Sequence, residues 1–302
     1  MNNELQHTTV LLHESVQALH LTEGDTVVDG TVGLGGHTHL LCEVVGKTGT
    51  VLGIDADSDA IAKTKQRFLE AEAPCSLRLA VGNFRDIQEI ASSEGIRDPQ
   101  GILFDLGWNS TQLQSGRGFS FLSHDPLLMT FSKEVEEGAT TAETIVNTWS
   151  QVDLAESIKV LGEERFAERI ASAIVARRRI APFTTADDLA ETIGTATPPW
   201  YRTGRINPAT KTFQALRILV NDELSSLQEG MKNAFSVLRP QGRLAIITFH
   251  SLEDGMVKRY FRTLSKEGKA VLIVKKPIRP SEEEVQRNPR SRSAKLRIIE
   301  KI

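Results

Sequence analysis

Cysteine is almost missing from this chain: 302 residues contain two, Cys42 and Cys75. Two cysteines make no disulfide framework, and neither has Cys or His neighbours at the spacing of a zinc site. Both therefore read as core residues, and no metal site is evident. Long hydrophobic runs are missing too, since nothing approaches the roughly 18 apolar residues of a membrane helix. The opening Met-Asn-Asn-Glu-Leu-Gln is polar, unlike a signal segment. A cytoplasmic globular protein with no membrane partner is expected. There are no internal repeats. Net charge is small, at −3, and by itself says nothing about a polyanionic partner. The length leaves room for two domains and a substantial core.

The chain is organised around residues 26 to 39, Thr-Val-Val-Asp-Gly-Thr-Val-Gly-Leu-Gly-Gly-His-Thr-His. They read as a buried strand stopping at Asp29, then a turn through Gly30, Gly33, Gly35 and Gly36 into a helix. Glycine tolerates positive φ and lets a ligand approach the backbone, and the first N–H groups of a helix are open to ligand oxygens. A second strand, Thr50 to Asp55, ends in an acid where a doubly wound fold places its ribose-binding carboxylate. The dinucleotide fingerprint is incomplete, because Thr38 stands where a third glycine should let helix and strand pack closely. An acid at the first strand's end also repels pyrophosphate, whereas S-adenosylmethionine brings an ammonium and a sulfonium. Methyl transfer is favoured over hydride transfer.

Further strands are expected at Leu77 to Phe84, Gly101 to Asp105 and Arg243 to Phe249, with helices between them. Parallel strands share a direction, so Asp29, Asp55 and Asp105 should gather on one rim. Carboxylates so placed repel one another unless a cation or a donor-rich ligand sits there. Phe84 reads equally as an adenine stack and as a core aromatic. From about Ser110 to Ile206 no strand is clear and helical stretches dominate, which predicts an inserted helical lobe. The expected class is α/β: a Rossmann-like methyltransferase sheet formed by residues 1–110 and 207–302, interrupted by an all-helical substrate domain at 111–206. Arg177-Arg178-Arg179 suits either a helix C-terminus or phosphate. From Lys275 to the end stand nine Lys/Arg against four Glu, a tail able to meet phosphates.

With these residues placed, the chain resembles the bacterial small-subunit ribosomal RNA cytosine-N4 methyltransferases nearly end to end. The resemblance rests on Asp29-Gly-Thr-Val-Gly-Leu-Gly-Gly-His37, Pro208-Ala-Thr-Lys-Thr-Phe-Gln-Ala-Leu-Arg-Ile218, Phe249-His-Ser-Leu-Glu-Asp254 and Asn288-Pro-Arg-Ser-Arg-Ser-Ala-Lys-Leu-Arg297. It implies a class I methyltransferase domain with a helical substrate lobe, S-adenosylmethionine as cofactor, and small-subunit ribosomal RNA or the assembling subunit as partner. It implies cofactor contacts at Gly35, Gly36, His37, Asp55, Phe84, Asp105 and Gln112, beside Gly33 and an Asp29 that orders the turn. Departures fall on the substrate side: where the family usually follows Asp-Leu-Gly with an aliphatic residue, Ser-Ser and Pro-Gln, this chain has Trp108, Asn109 and Thr111 beside the matching Ser110 and Gln112, and His124, Leu128 and Thr130 replace two acids and an arginine. Thr9 and Asn207 are lesser changes.

Cytosine N4 is a weak nucleophile, so acceptors aimed at its N–H groups would turn its lone pair toward the methyl. Asp105 is the candidate for that catalytic role, with Asn109 or Ser110 assisting; equally, it touches only the cofactor. His250 and Ser251 either line the acceptor pocket or serve as scaffold. Arg290, Arg292 and Lys295 are the candidate phosphate contacts. The acceptor base must be unstacked to reach a buried methyl. The alternatives are a non-catalytic, cofactor-binding ribosome assembly factor, a relative with a shifted RNA target, a small-molecule methyltransferase and an NAD enzyme. No DNA partner is expected, because no Pro-Pro-Tyr type loop follows Asp105.

Overall fold

A computed structural model describes residues 8–71, 73–107, 115–133, 138–204 and 206–302. The chain forms two compact units: residues 1–109 with 224–302, and residues 110–223. The first is built on seven strands: β1 (Thr26–Asp29), β2 (Thr50–Asp55), β3 (Ser76–Val81), β4 (Gly101–Asp105), β5 (Arg243–Thr248), β6 (Ala270–Leu272) and β7 (Lys295–Lys301). Their order is β3-β2-β1-β4-β5-β7-β6. The first five are parallel, and β7 runs antiparallel between β5 and β6.

The central strands are buried along nearly their whole length, which is why they read as continuous apolar runs. Their side chains alternate between two cores, as the two-residue period of a strand requires. Val28, Leu52, Ile54, Ile102, Phe104 and Ile246 enter one core, and Val27, Val51, Leu103, Ala245 and Ile247 the other. Phe104 is fully buried, and its truncation to Ala would cost about 3–5 kcal/mol. The order of strands reverses beside β1, so β1 and β4 diverge in their connections and leave a crevice at their carboxyl ends.

Three expectations change. β3 stops at Val81, and Phe84 instead opens a short 3-10 turn that Asn83 caps by accepting the Arg85 N–H at 3.0 Å. Cys42 and Cys75 are not separate core thiols: their Cα atoms lie 5.0 Å apart and the sulfurs are bonded, joining the helix Gly36–Val45 to the lead-in of β3. The return from the helical unit falls near Leu224 rather than at 207. The reason is the helix Ala209–Val220, which sinks Ala209, Phe213 and Leu216 into the helical unit's own core.

That unit contains the helices Ala142–Thr148, Gln151–Leu161, Ala167–Arg178, Ala186–Ala196, Pro199–Arg202 and Ala209–Val220. Thr141 and Ser150 cap the first two through side-chain acceptors. Arg178 donates to the carbonyls of Val146 and Trp149, and Arg177 to Ala181 and Asp188. Two of the three consecutive arginines thus hold the unit together. Among the departures in this unit, exposed His124 pairs with Asp187 at 3.0 Å and buried Thr130 donates to the Ser132 carbonyl.

Candidate functional site

The glycine turn after β1 is held by acids rather than by packing alone. Asp29 is fully buried; one carboxylate oxygen accepts the Thr31 N–H at 3.2 Å and the other the Thr38 hydroxyl at 2.7 Å. Thr38, which spoils the dinucleotide fingerprint, is thus the residue that ties the first turn of the helix Gly36–Val45 to the end of β1. Asp55, at the tip of β2, accepts the Gly33 N–H at 2.7 Å and the Asp57 N–H at 2.8 Å. Each carboxylate oxygen has a second lone pair, so ribose hydroxyls remain acceptable partners. Gly35 has φ +76°, and a Cβ there would stand 2.9 Å from Thr64; this left-handed step is what glycine supplies.

Asp105 ends β4. Its N–H donates to the Thr31 hydroxyl at 2.7 Å, its Oδ1 accepts the Gly107 N–H at 3.2 Å, and its Oδ2 lies 3.7 Å from Nδ1 of buried His37. Thr31, which no sequence signal singled out, therefore bridges the turn after β1 to the tip of β4. Burial pushes the Asp105 carboxyl up to about 7, reinforced by the charges of Asp29 and Glu253 and opposed by the Gly107 hydrogen bond. Burial likewise raises Asp29 to about 6, with Asp55 adding repulsion and Thr38 and Thr31 hydrogen bonds pulling down. Among the described residues no Lys or Arg pairs with either acid. Carboxyls pushed up by burial at neighbouring strand tips are the chemistry that a cationic ligand would complete.

Phe84 is partly buried, 4.9 Å from the Phe104 ring, and a Cβ on Gly230 would meet its ring edge at 2.5 Å. It belongs to the core on one side and keeps some exposure on the other. His250 and Glu253 form a reciprocal cap on the helix Ser251–Lys266: His250 Nδ1 faces the Glu253 N–H, and Glu253 accepts the N–H groups of Phe249 and His250. That arrangement makes His250 part of the helix cap, and Ser251 is exposed at the first position of the helix. Glu253 was not singled out in the sequence; its capping-box position after His250 was the available signal.

The expected phosphate contacts divide. Arg290 and Arg292 are exposed on the turn Pro289–Ser293. Lys295 is not available in the same way: with Arg297 it closes on Asp254, at 2.9 and 2.7 Å respectively. Asn109, Ser110 and Gln112, with Trp108 and Thr111, lie outside the described residues.

A parallel sheet in this order, with its antiparallel seventh strand and an acid-tipped glycine crevice, defines a class I, S-adenosylmethionine-dependent methyltransferase. The model of the MraW methylase family matches residues 4–302, and the chain belongs to that family. It is 41% identical to ribosomal RNA small subunit methyltransferase H of Persephonella marina over 298 residues, 99% of this chain and all of that one. The protein of the same name from Deinococcus deserti is 44% identical over 301 residues, covering 99% and 94% of the two chains. Among solved structures, an rRNA methylase from Streptococcus thermophilus aligns with 97% of this chain and 98% of its own at 13% identity and a TM-score of 0.46.

Proposed function

We propose that this protein transfers the methyl group of S-adenosylmethionine to N4 of a cytosine in small-subunit ribosomal RNA, near the decoding centre, acting on the RNA or the assembling subunit. The observation that carries the mechanism is Asp105: a largely buried carboxyl pushed up to about 7, on a residue whose backbone N–H donates to the Thr31 hydroxyl of the glycine turn. When bound, the cofactor supplies an electrophilic methyl on a positively charged sulfur. The chain's own residues do the rest. Asp29 and Thr38 fix the turn, Asp55 orders the Gly33 backbone and takes ribose hydroxyls, and the Phe84 ring offers its exposed side to adenine. Asp105 accepts an N4–H of the extruded cytosine, which frees the nitrogen lone pair for in-line attack. Asp105 would then receive the proton that N4 sheds on methylation, leaving the neutral thioether of the spent cofactor as the leaving group.

Supplying labelled cofactor and small subunits from cells lacking this protein tests the reading. Label should appear as N4-methylcytosine at one position by mass mapping. Label on another atom, or subunits bound but left unmethylated, would remove this reading in favour of a shifted target or a non-catalytic assembly factor.

A further inference from the structure

Trp200 is 60% exposed, yet nothing about the segment that carries it is loose. Pro198 and Pro199 fix the backbone on its N-terminal side, with Pro199 opening the short helix Pro199–Arg202. On its C-terminal side, the Tyr201 hydroxyl donates to Glu164 at 2.6 Å, and buried Glu164 also accepts the Phe166 N–H. Arg202 donates to the carbonyls of Thr195 and Thr197. The rings of Phe166 and Tyr201 meet Trp200 edge-on at 5.8 Å each. The result is an indole supported from beneath and presented to solvent, with no acceptor for its N–H among the described residues.

The cations around it point to one kind of partner. The Arg165 guanidinium stands 5.9 Å from the Trp200 ring centre, and Arg169 lies at the same distance from the Phe166 ring. Both arginines are exposed and neither pairs with a carboxylate among the described residues. From Thr192 to Asn221 the sequence has four cations and no Asp or Glu; of these Arg202 lies two residues from Trp200, while Arg217 is held by Glu223. Glu163 and Glu168 are the exposed acids flanking Phe166, while Glu164 is consumed by its hydrogen bonds. A rigid exposed aromatic with guanidinium groups beside it is how proteins stack an unpaired base while meeting its phosphates. The exposed side chains nearest the indole include the Arg165 guanidinium, which suits an anionic, ring-bearing partner.

We propose that Trp200, with Arg165 beside it, is a stacking platform for an unpaired nucleotide of the RNA substrate, a second RNA contact carried by the helical unit. This rests on the RNA-methyltransferase reading above and adds where the substrate is gripped away from the reacting base.

The test uses the full chain, a short labelled single-stranded oligoadenylate for binding, and small-subunit ribosomal RNA for methyl transfer. Trp200→Ala should weaken oligoadenylate binding about tenfold, the order expected for one lost base stack, and raise KM for ribosomal RNA by a similar factor. Trp200→Phe should recover most of the loss. The salt slope of binding should stay unchanged in Trp200→Ala and become shallower in Arg165→Ala, because only the latter removes a phosphate contact. Cofactor affinity of each variant reports that the fold is intact. If wild-type protein methylates ribosomal RNA and Trp200→Ala matches it in binding and KM, the platform is wrong while the function stands. If wild-type protein neither binds nor methylates RNA, both fall. If Trp200→Ala changes self-association and leaves RNA binding untouched, the indole is a protein contact and the platform is again overturned.

Discussion

Two groups of acids in the sheet-bearing unit have opposite fates. At the tips of β1 and β4, buried Asp29 and largely buried Asp105 have no Lys or Arg paired to them among the described residues, and their carboxyls are pushed up to about 6 and about 7. On the helix Ser251–Lys266, burial also raises Asp254, but hydrogen bonds from Arg297 and Lys295 outweigh it and hold its carboxyl below the ordinary range. The fold itself neutralises Asp254. It leaves the tip acids without a Lys or Arg partner among the described residues, an imbalance that a cationic cofactor would answer.

The largest expected effect breaks the first group. Asp105→Asn should lower the methylation rate at least about 100-fold, the scale of a lost general base. The same change should leave stability intact or higher above neutral pH. A raised carboxyl costs the native state progressively as pH climbs from its unfolded value toward about 7, and Asn removes that cost. Next, Asp55→Ala strips the Gly33 and Asp57 N–H groups of their acceptor. Cofactor affinity measured by calorimetry should fall roughly tenfold or more, the size of a hydrogen bond to a charged group. Asp254→Ala sharpens the contrast from the other side: it leaves Lys295 and Arg297 without their shared partner. Thermal melts should show about 1–3 kcal/mol of lost stability, with cofactor affinity unchanged. The smallest effect belongs to Arg290→Ala with Arg292→Ala, which should weaken RNA binding a few-fold and reduce the salt slope by roughly one per charge.

The tip acids were legible because each ends a buried apolar run, so strand end and acid coincide in the sequence. What was illegible depends on pairs distant in the chain. Lys295 and Arg297 read as free basic residues, since Asp254 lies 41 and 43 residues away. Cys42 and Cys75, 33 residues apart, carried no signal that their elements adjoin. Thr38 was read only as a missing glycine, because sequence shows the absence of a small residue but not a hydroxyl aimed at Asp29. The boundary at 207 misplaced the helix Ala209–Val220: its amphipathic pattern announces a buried face without saying which core receives it.

The central claim is that the tip carboxyls are balanced by positive charge on the cofactor, and proton counting tests it most directly. Titrating S-adenosylmethionine into the protein by calorimetry, in buffers of differing ionisation heat, measures protons exchanged on binding. A cation arriving beside Asp29 and Asp105 lowers their pKa values. Binding should therefore release protons at a pH between about 6 and about 7, affinity should rise with pH through that window, and most of the release should vanish in Asp105→Asn. Binding that takes up protons, or a release unchanged in Asp105→Asn, would contradict the account.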